Sequence, residues 1–143
     1  MSRYRSDPQH RELAKARSSA WYYANTDKVR QRDRVDRWHS HIVSRAVSSA
    51  KARGHEHAID GDFVLTLFKK QNGLCYWTGV PMVPSVATSD PQRPSIDRLD
   101  GDIGYVPENC VLACWFANLG RGSVKADRFR DFIETMKASI RNA

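Results

Sequence analysis

The feature of this 143-residue sequence that most constrains its fold is the segment 94–123, PSIDRLDGDIGYVPENCVLACWFANLGRGS. Residues 95–99 alternate in the manner of a half-buried strand. A loop with two glycines, a proline and an asparagine follows at 101–109, then a short apolar strand at 110–112 and the start of a helix at 115–119. Strand, loop, strand and helix in direct succession predict a ββα unit.

Helices are predicted on the N-terminal side of this unit. Asp7-Pro8 has the residue types of a helix start, and the first helix should extend to about residue 24. Thr26 can cap a second helix that runs towards Arg53 and stops at Gly54. One apolar stripe recurs along it at spacings of three and four, formed by Val35, Trp38, Ile42, Ala46 and Ala50.

The remaining segments complete an α+β chain. Residues 61–71 predict a short amphipathic helix that Asn72-Gly73 ends, and residues 74–79 predict a strand with a tight turn. A final helix is expected at about 126–141. Its apolar residues fall on one face, which indicates core packing, and they are Phe129, Phe132, Ile133, Met136 and Ile140.

Charge is distributed unevenly along the chain. Residues 1–54 hold 13 Lys/Arg and 5 Asp/Glu, whereas residues 55–143 hold 10 and 11, so the net charge of +7 comes from the first part. A basic segment joined to a nearly neutral body is typical of nucleic-acid binding, although a solvated helix face would give the same composition. No apolar run approaches the roughly 20 residues of a membrane span, and residues 1–17 contain no apolar stretch of a signal peptide. We therefore expect no membrane partner.

Two polar residues of the ββα unit have the chemistry of magnesium ligands. Asp97 lies near the end of the first predicted strand, and Asn118 lies on the helix that should fold back across the hairpin. Carboxylate and amide oxygens suit a hard divalent cation, which often takes only one or two protein ligands besides phosphate and water. Such a metal can stabilise charge on a scissile phosphate.

The segment from about residue 73 to residue 136 resembles the HNH, or His-Me finger, endonucleases, especially small phage-encoded ones. The motif is Ile96-Asp97-Arg98-Leu99-Asp100-Gly101-Asp102, followed by Gly104-Tyr105 and Asn109. The spacing from Asn109 to Asn118 is similar to that in the HNH domain of the RNA-guided CRISPR nuclease. The resemblance implies a ββα-metal core, Mg²⁺ or Mn²⁺ at Asp97 and Asn118, and a loop-fixing role for Asn109.

Arg98 departs from the family pattern. The family keeps a histidine there, which takes a proton from the attacking water, and a guanidinium cannot act as a base at neutral pH. Arg98 could clamp the phosphate instead, as the Asp-Arg pair of similar phage proteins suggests. A base could then come from elsewhere, with His55, His57, Tyr105 and Asp100 as candidates. Alternatively, cleavage is lost and a DNA-binding protein remains.

The cysteines do not favour a structural zinc. The resolvase branch of the family carries two C-x-x-C pairs, of which this chain keeps only Cys75 and Cys114. Two thiolates are too few for zinc, and Cys110 could join them only if its side chain pointed the same way. We expect Trp77, Trp115 and Phe116 to fill that region. Three cysteines also give no disulfide framework and indicate a reducing compartment.

The sequence as a whole predicts an α+β protein with basic N-terminal helices, an HNH-like ββα-metal core and a C-terminal helix. We expect a DNA-binding arm at 1–54 and a nuclease domain at 55–143, acting on double-stranded DNA in the cytoplasm, that of a bacterial host if phage-encoded. The arm could equally mediate a homodimer. The alternatives are a non-catalytic nucleic-acid-binding protein of the same fold and a factor whose basic helix binds an acidic protein. The predicted DNA contacts are Lys28, Arg30, Arg32, Arg34, Arg37 and Arg121.

Overall fold

The computed structural model describes residues 8, 12–20, 24–25, 36–85 and 89–142. The chain divides into two compact units, Met1–Asp33 and Arg34–Ala143. In the first unit residues 12–20 are helical, as predicted, while most of residues 21–35 fall outside the described part. Residue 54, after which the domain boundary was predicted, lies inside the second unit.

The second unit begins with helix α1 (Trp38–Arg53), which ends as predicted at Gly54 in the left-handed conformation, with φ of 67°. Glycine suits this position because it has no Cβ to clash. The apolar stripe is confirmed where it is described, and its buried members are Trp38, Ile42, Ala46 and Ala50. The continuous helix predicted from Thr26 is wrong at Arg37, a bend whose φ of −120° is not helical.

Helix α2 (Gly61–Lys70) starts at Asp60, whose carboxylate accepts a hydrogen bond from the Phe63 backbone N–H at 2.8 Å. Asn72 and Gly73, both at positive φ, end it as predicted. The strand predicted at 74–79 is wrong. The tight turn predicted with it is present, with Gly79 N–H donating to Cys75. The described backbone makes an isolated bridge, Leu74 with Pro81, and a single hydrogen bond from Tyr76 to Leu112 of β2 in place of a strand ladder.

The ββα unit is present. Strands β1 (Pro94–Arg98) and β2 (Cys110–Cys114) pair antiparallel with Ile96 opposite Leu112, and a 3-10 turn, Pro107–Asn109, precedes β2. Helix α3 (Trp115–Arg121) follows directly and ends at Gly122. The helix continues through Gly120, which is exposed and has open space around it.

Helix α4 (Ala126–Arg141) has the predicted bounds, but its packing differs from the prediction. Phe129 and Ile133 are buried, whereas the other three members of the predicted core face, Phe132, Met136 and Ile140, are exposed. These three follow a stripe offset from the buried pair by three residues, which is about 60° around a helix. The periodicity identified an apolar face broader than the one that packs.

Two apolar clusters hold the second unit together. The larger contains Trp38 and Ile42 of α1, Val64 of α2, Leu112 of β2 and both buried residues of α4. The smaller joins Ala46 and Ala50 to Ile59, Tyr105 and Cys110. The hairpin is therefore covered by helices on both sides, in an α+β architecture. Within the described residues, no helix has the length and apolar character to span a membrane.

Candidate active site

Helix α3 lies along β1 in a regular register. Trp115 meets Arg93, whose guanidinium lies 4.9 Å from a Trp115 ring centroid. Asn118 donates to the Ser95 hydroxyl at 3.0 Å, and Arg121 donates to the Asp97 carboxylate at 2.7 Å. Positions three apart on the helix therefore meet positions two apart on the strand, as the two side-chain periods allow. We call this the helix-facing side of β1.

Asp97 is enclosed on the helix-facing side. Its two carboxylate oxygens accept hydrogen bonds from Arg121 Nη1 and Trp77 Nε1, each at 2.7 Å, and the residue is 5% exposed. Burial raises the pKa of the Asp97 carboxyl, and the Trp77 hydrogen bond and the Arg121 charge act in the opposite direction. The buried carboxylate is thus neutralised by a guanidinium of the same unit.

Arg121 is as enclosed as its partner. It donates to the backbone oxygens of Arg98 and Leu99, both at 2.9 Å, and lies over the Trp77 ring at 5.2 Å. These bonds fasten the end of α3 to the end of β1. The predicted DNA contact of Arg121 does not fit this conformation, since its guanidinium is buried and engaged within the fold.

Asn118 is placed by its amide nitrogen, which donates to Ser95 Oγ at 3.0 Å and to the Ile96 carbonyl at 3.1 Å. With the nitrogen so fixed, the amide oxygen is the group left to accept. Asn118 is half-buried, so this oxygen is an accessible hard donor. Its geometry is compatible with the predicted metal-ligand role.

Asp97 and Asn118 together do not fit a hydrated divalent cation as they stand. Such an ion keeps several waters and contacts the substrate, so its ligands need access to solvent. Asp97 lacks that access, and the Arg121 charge at 2.7 Å would repel the ion. The described residues also contain no cluster of three or more His, Cys, Asp or Glu side chains that could hold a metal. A cation at Asp97 would first require Arg121 to leave.

Arg98 makes its side-chain contacts away from Asp97. Its Nη1 lies 2.6 Å from His55 Nδ1 and donates to the Ile103 carbonyl at 2.9 Å. The guanidinium is centred 4.9 Å from the Tyr105 ring and remains half-exposed. Because a guanidinium only donates, His55 Nδ1 must be the acceptor, which puts the imidazole proton on Nε2. We call the face of β1 that carries Arg98 and these contacts the open side of β1.

The loop after β1 is organised around Asn109. Its side chain accepts from the Asp100 backbone N–H at 2.9 Å and donates to the backbone oxygens of Asp100, Ile103 and Gly104. Since Asn109 is buried, these bonds form with little competition from water. The Ile103 carbonyl that receives Arg98 belongs to this same loop.

The segment before α2 packs against that loop. Tyr105 donates its backbone N–H to Glu56 and accepts from Ala58, both at 2.9 Å. Gly104 permits this approach, because a Cβ there would collide with the Glu56 backbone. This packing brings His55, one of the candidate bases, to Arg98, 43 positions away in the chain.

The cysteines fall into two places. The thiols of Cys75 and Cys114 are hydrogen-bonded, which lowers the pKa of Cys75 to about 5 and raises that of Cys114. Burial raises the pKa of Cys110 to about 12. Cys110 is four residues from Cys114 along β2, or about 13 Å, so both cannot bind one zinc. Trp77 fills the core here, but Phe116 is 68% exposed and does not fill it as predicted.

Of the residues predicted to contact DNA, Lys28, Arg30, Arg32 and Arg34 lie outside the described part of the chain. Arg37 is described and exposed, at the bend before α1. The structure therefore adds no geometry for most of the predicted basic arm.

No known family model matches this sequence, and no curated protein matches it. Among solved structures, the chain is similar to the rare-cutting HNH restriction endonuclease PacI, whose structure was described for its mechanism of DNA perturbation. The TM-score is 0.55, the sequences are 19% identical, and the match covers 71% of this chain and 78% of that one. This chain has an HNH-type nuclease fold. The predicted α+β class and HNH resemblance are thereby confirmed at the level of the fold.

Proposed function

We propose that this protein is a DNA endonuclease that hydrolyses phosphodiester bonds, with Arg98 binding the scissile phosphate. The observation that carries the proposal is the guanidinium on the open side of β1. It is oriented by His55, Ile103 and Tyr105 yet remains half-exposed at the end of the first strand of an HNH-type fold.

The hydrogen-bond pattern of Arg98 leaves a suitable edge for a phosphate. Its two Nη1 protons are directed at His55 Nδ1 and the Ile103 carbonyl. The remaining N–H groups, on Nε and Nη2, form the fork that binds two phosphate oxygens at once. In this role Arg98 stabilises the negative charge that grows on the phosphate during attack. Asn109 positions Arg98 indirectly, through the Ile103 loop.

His55 is the proton acceptor we favour among the candidates left open by the sequence. While its Nδ1 accepts from Arg98, the imidazole orients the guanidinium and cannot take a proton at that atom. With the Nε and Nη2 edge of Arg98 on a phosphate, a small rotation that breaks the Nη1 contact with His55 and keeps the one with Ile103 would release the Nδ1 lone pair beside the reacting group. A neutral imidazole is then available to take a proton from the attacking water.

The proposal includes Mg²⁺ or Mn²⁺ held by Asn118 and, after Arg121 has moved away, by Asp97. Bound there, the ion would supply charge stabilisation on the phosphate. The roles given to Arg98, His55 and Asn109 do not depend on it. We also propose double-stranded DNA as the substrate, a basic arm within residues 1–54 that binds phosphates, and a phage or mobile-element setting in the bacterial cytoplasm. A homodimer is compatible with all of these.

Cleavage of supercoiled plasmid tests the proposal. The wild-type protein should nick or linearise DNA with Mg²⁺ or Mn²⁺ and not with EDTA. Arg98→Ala should slow cutting by about 100-fold or more, as removal of a charge-stabilising donor does. Arg98→Lys should stay well below wild type because an ammonium lacks the two-pronged edge. Asn118→Ala tests the metal ligand.

Arg128→Ala is the matched control, since Arg128 is an exposed arginine on α4. It should cut at the wild-type rate. A wild-type protein that binds DNA and cuts it in neither metal would contradict the proposal.

The second candidate is a DNA-binding protein of the same fold without catalysis. The buried Asp97–Arg121 pair favours it, since that pair closes the carboxylate on which a metal would bind. Salt-sensitive DNA binding without cleavage in either metal would support this candidate.

A further inference from the structure

A second cluster of positive charge lies at the start of β1. A cavity of about 440 Å³ opens there, and its polar lining includes His41, Ser44, Arg45, Ser48 and Arg93. Arg45 comes from α1 and Arg93 directly precedes β1. The hydroxyls of Ser44 and Ser48 donate their protons to backbone oxygens within α1. Ser85 also lines the cavity. The charged donors that suit an anion are those of the two arginines.

Arg93 is a buried guanidinium without an adequate partner. It is 5% exposed, its planar group lies against Trp115, and within the described residues its Nε has no hydrogen-bond partner. Buried charged groups are normally paired, because an isolated one loses its hydration. The pKa of Arg93 is lowered, first by burial and then by the positive charge of Arg45, and Asp90 opposes this only in part. The cavity therefore has positive charge that Asp90 compensates only in part, and one buried donor without a partner among the described residues, the Arg93 Nε–H.

We propose that the cavity between Arg45 and Arg93 binds a backbone phosphate of the nucleic acid, at a distance from the phosphate held by Arg98. The proposal rests on the proposed function. A phosphate group brings both the negative charge and the several acceptor oxygens that two arginines satisfy. Planar guanidinium groups, one already held flat on a tryptophan, are suited to that ligand.

Arg93 and Arg98 are an odd number of positions apart along the strand, so their side chains leave it on opposite sides. A phosphate bound at Arg93 is therefore a separate contact from the phosphate at Arg98. Such a contact would help to fix the position of the nucleic acid on the protein.

The experiment compares Arg45→Gln and Arg93→Gln with Arg128→Gln in the full chain. Binding of a fluorescent 20-base-pair duplex is measured by anisotropy in EDTA, over a series of salt concentrations. We expect each cavity variant to bind about tenfold more weakly than the control. The logarithm of the association constant is plotted against the logarithm of the salt concentration. The slope of this plot should become shallower by about 0.9 if the variant neutralises one phosphate fewer than the control does.

Arg45→Gln guards against a trivial failure to fold, because Arg45 is exposed whereas Arg93 is buried. Circular dichroism and thermal melting of each variant establish that it is folded. If both folded variants bind with the affinity and salt slope of Arg128→Gln, the proposal is overturned.

A second arm separates this proposal from the proposed function and from a site for free phosphate. DNA binding is measured in EDTA, where no cleavage is expected, so absence of cutting by the wild type would count only against the proposed function. Thermal melting is also measured with inorganic phosphate against chloride at equal ionic strength. Stabilisation by phosphate that Arg45→Gln abolishes, with DNA binding unchanged, would overturn the nucleic-acid assignment and leave a site for free phosphate.

Discussion

The two sides of β1 differ in how their charges are satisfied. On the helix-facing side, Asp97 is enclosed by Arg121 and Trp77 and almost no surface remains. On the open side, Arg98 is oriented by three groups yet keeps a half-exposed guanidinium. Adjacent residues of one strand thus carry opposite properties, one fastening the hairpin to α3 and the other presenting charge to a ligand.

This difference matters because the family resemblance assigns both residues to one centre. Asp97 is buried in an ion pair, so a substitution of either partner is expected to affect stability first. Removing one charge of a buried pair is costly because the other charge stays buried without a partner. The half-exposed Arg98 is expected to act first on substrate binding. Variants that separate stability from DNA cleavage therefore test whether the two sides are as distinct in solution as in the structure.

The largest expected effect is on the helix-facing side. Arg121→Met leaves the Asp97 carboxylate buried without its counter-charge and should lower the free energy of unfolding by about 3–5 kcal/mol. Urea denaturation measures this change. The double variant Asp97→Asn/Arg121→Met removes both charges and should recover part of the stability. A single variant as stable as the wild type would show that Asp97 is not enclosed.

The next effect concerns the loop that supports the open side. Asn109→Ala removes one accepted hydrogen bond and two amide protons shared among three carbonyls, so it loses about three full hydrogen bonds. At about 1 kcal/mol each, the loss should cost about 3 kcal/mol. Hydrogen exchange of the amides of residues 100–104 should become faster. Asp102→Ala, at an exposed position of the same loop, should change stability by no more than about 0.5 kcal/mol.

His55 separates orientation from proton transfer on the open side. His55→Ala should slow plasmid nicking about tenfold or more, as removal of a general base or of its positioning does. His55→Asn supplies an amide oxygen near the Nδ1 position, which can accept from Arg98 but cannot take a proton at neutral pH. Nicking rates compared at one pH decide between the roles: an Asn variant as slow as the Ala variant identifies proton transfer, and a rate restored by Asn excludes it.

The smallest effect is expected at Ser95, where the helix-facing side is only partly buried. Ser95→Ala removes the acceptor of the Asn118 amide and a bond to the Ala113 carbonyl, and should cost about 1 kcal/mol. Ser139→Ala, an exposed serine of α4, serves as the comparison. A cost well above this value would indicate that the Ser95–Asn118 hydrogen bond stabilises the fold more than its geometry suggests.

Local patterns predicted much of the fold. The two strands of the hairpin, the bounds of α4, the end of α1 at Gly54 and the end of α2 at Asn72-Gly73 all follow from signals within a few residues. At 74–79 the tight turn was predicted but the strand was not formed, because the turn leaves the segment with an isolated bridge and one hydrogen bond to β2. The α4 face was overestimated because periodicity does not say how wide the neighbouring surface is.

The partners of the candidate site residues could not be predicted from the chain alone. Asp97 and Arg121 are 24 positions apart, and Arg98 and His55 are 43 apart. Nothing in a single sequence indicates which distant charges will meet, and the metal-ligand interpretation of Asp97 therefore assumed an open carboxylate. Arg45 and Arg93 were not recognised as a pair for the same reason, since each lies in a segment with its own local explanation.

The register of α3 on β1 has a consequence for how such a protein can change over generations. Substitutions at 93, 95 or 97 are coupled to 115, 118 or 121, so they must arrive in compatible pairs. Position 98 stands outside this coupling, since within the described part of the chain its side chain contacts the neighbouring loop and His55 and not α3. A substitution of histidine by arginine there needs no compensating change in the hairpin. The chemistry of the centre can therefore change while the fold around it is kept.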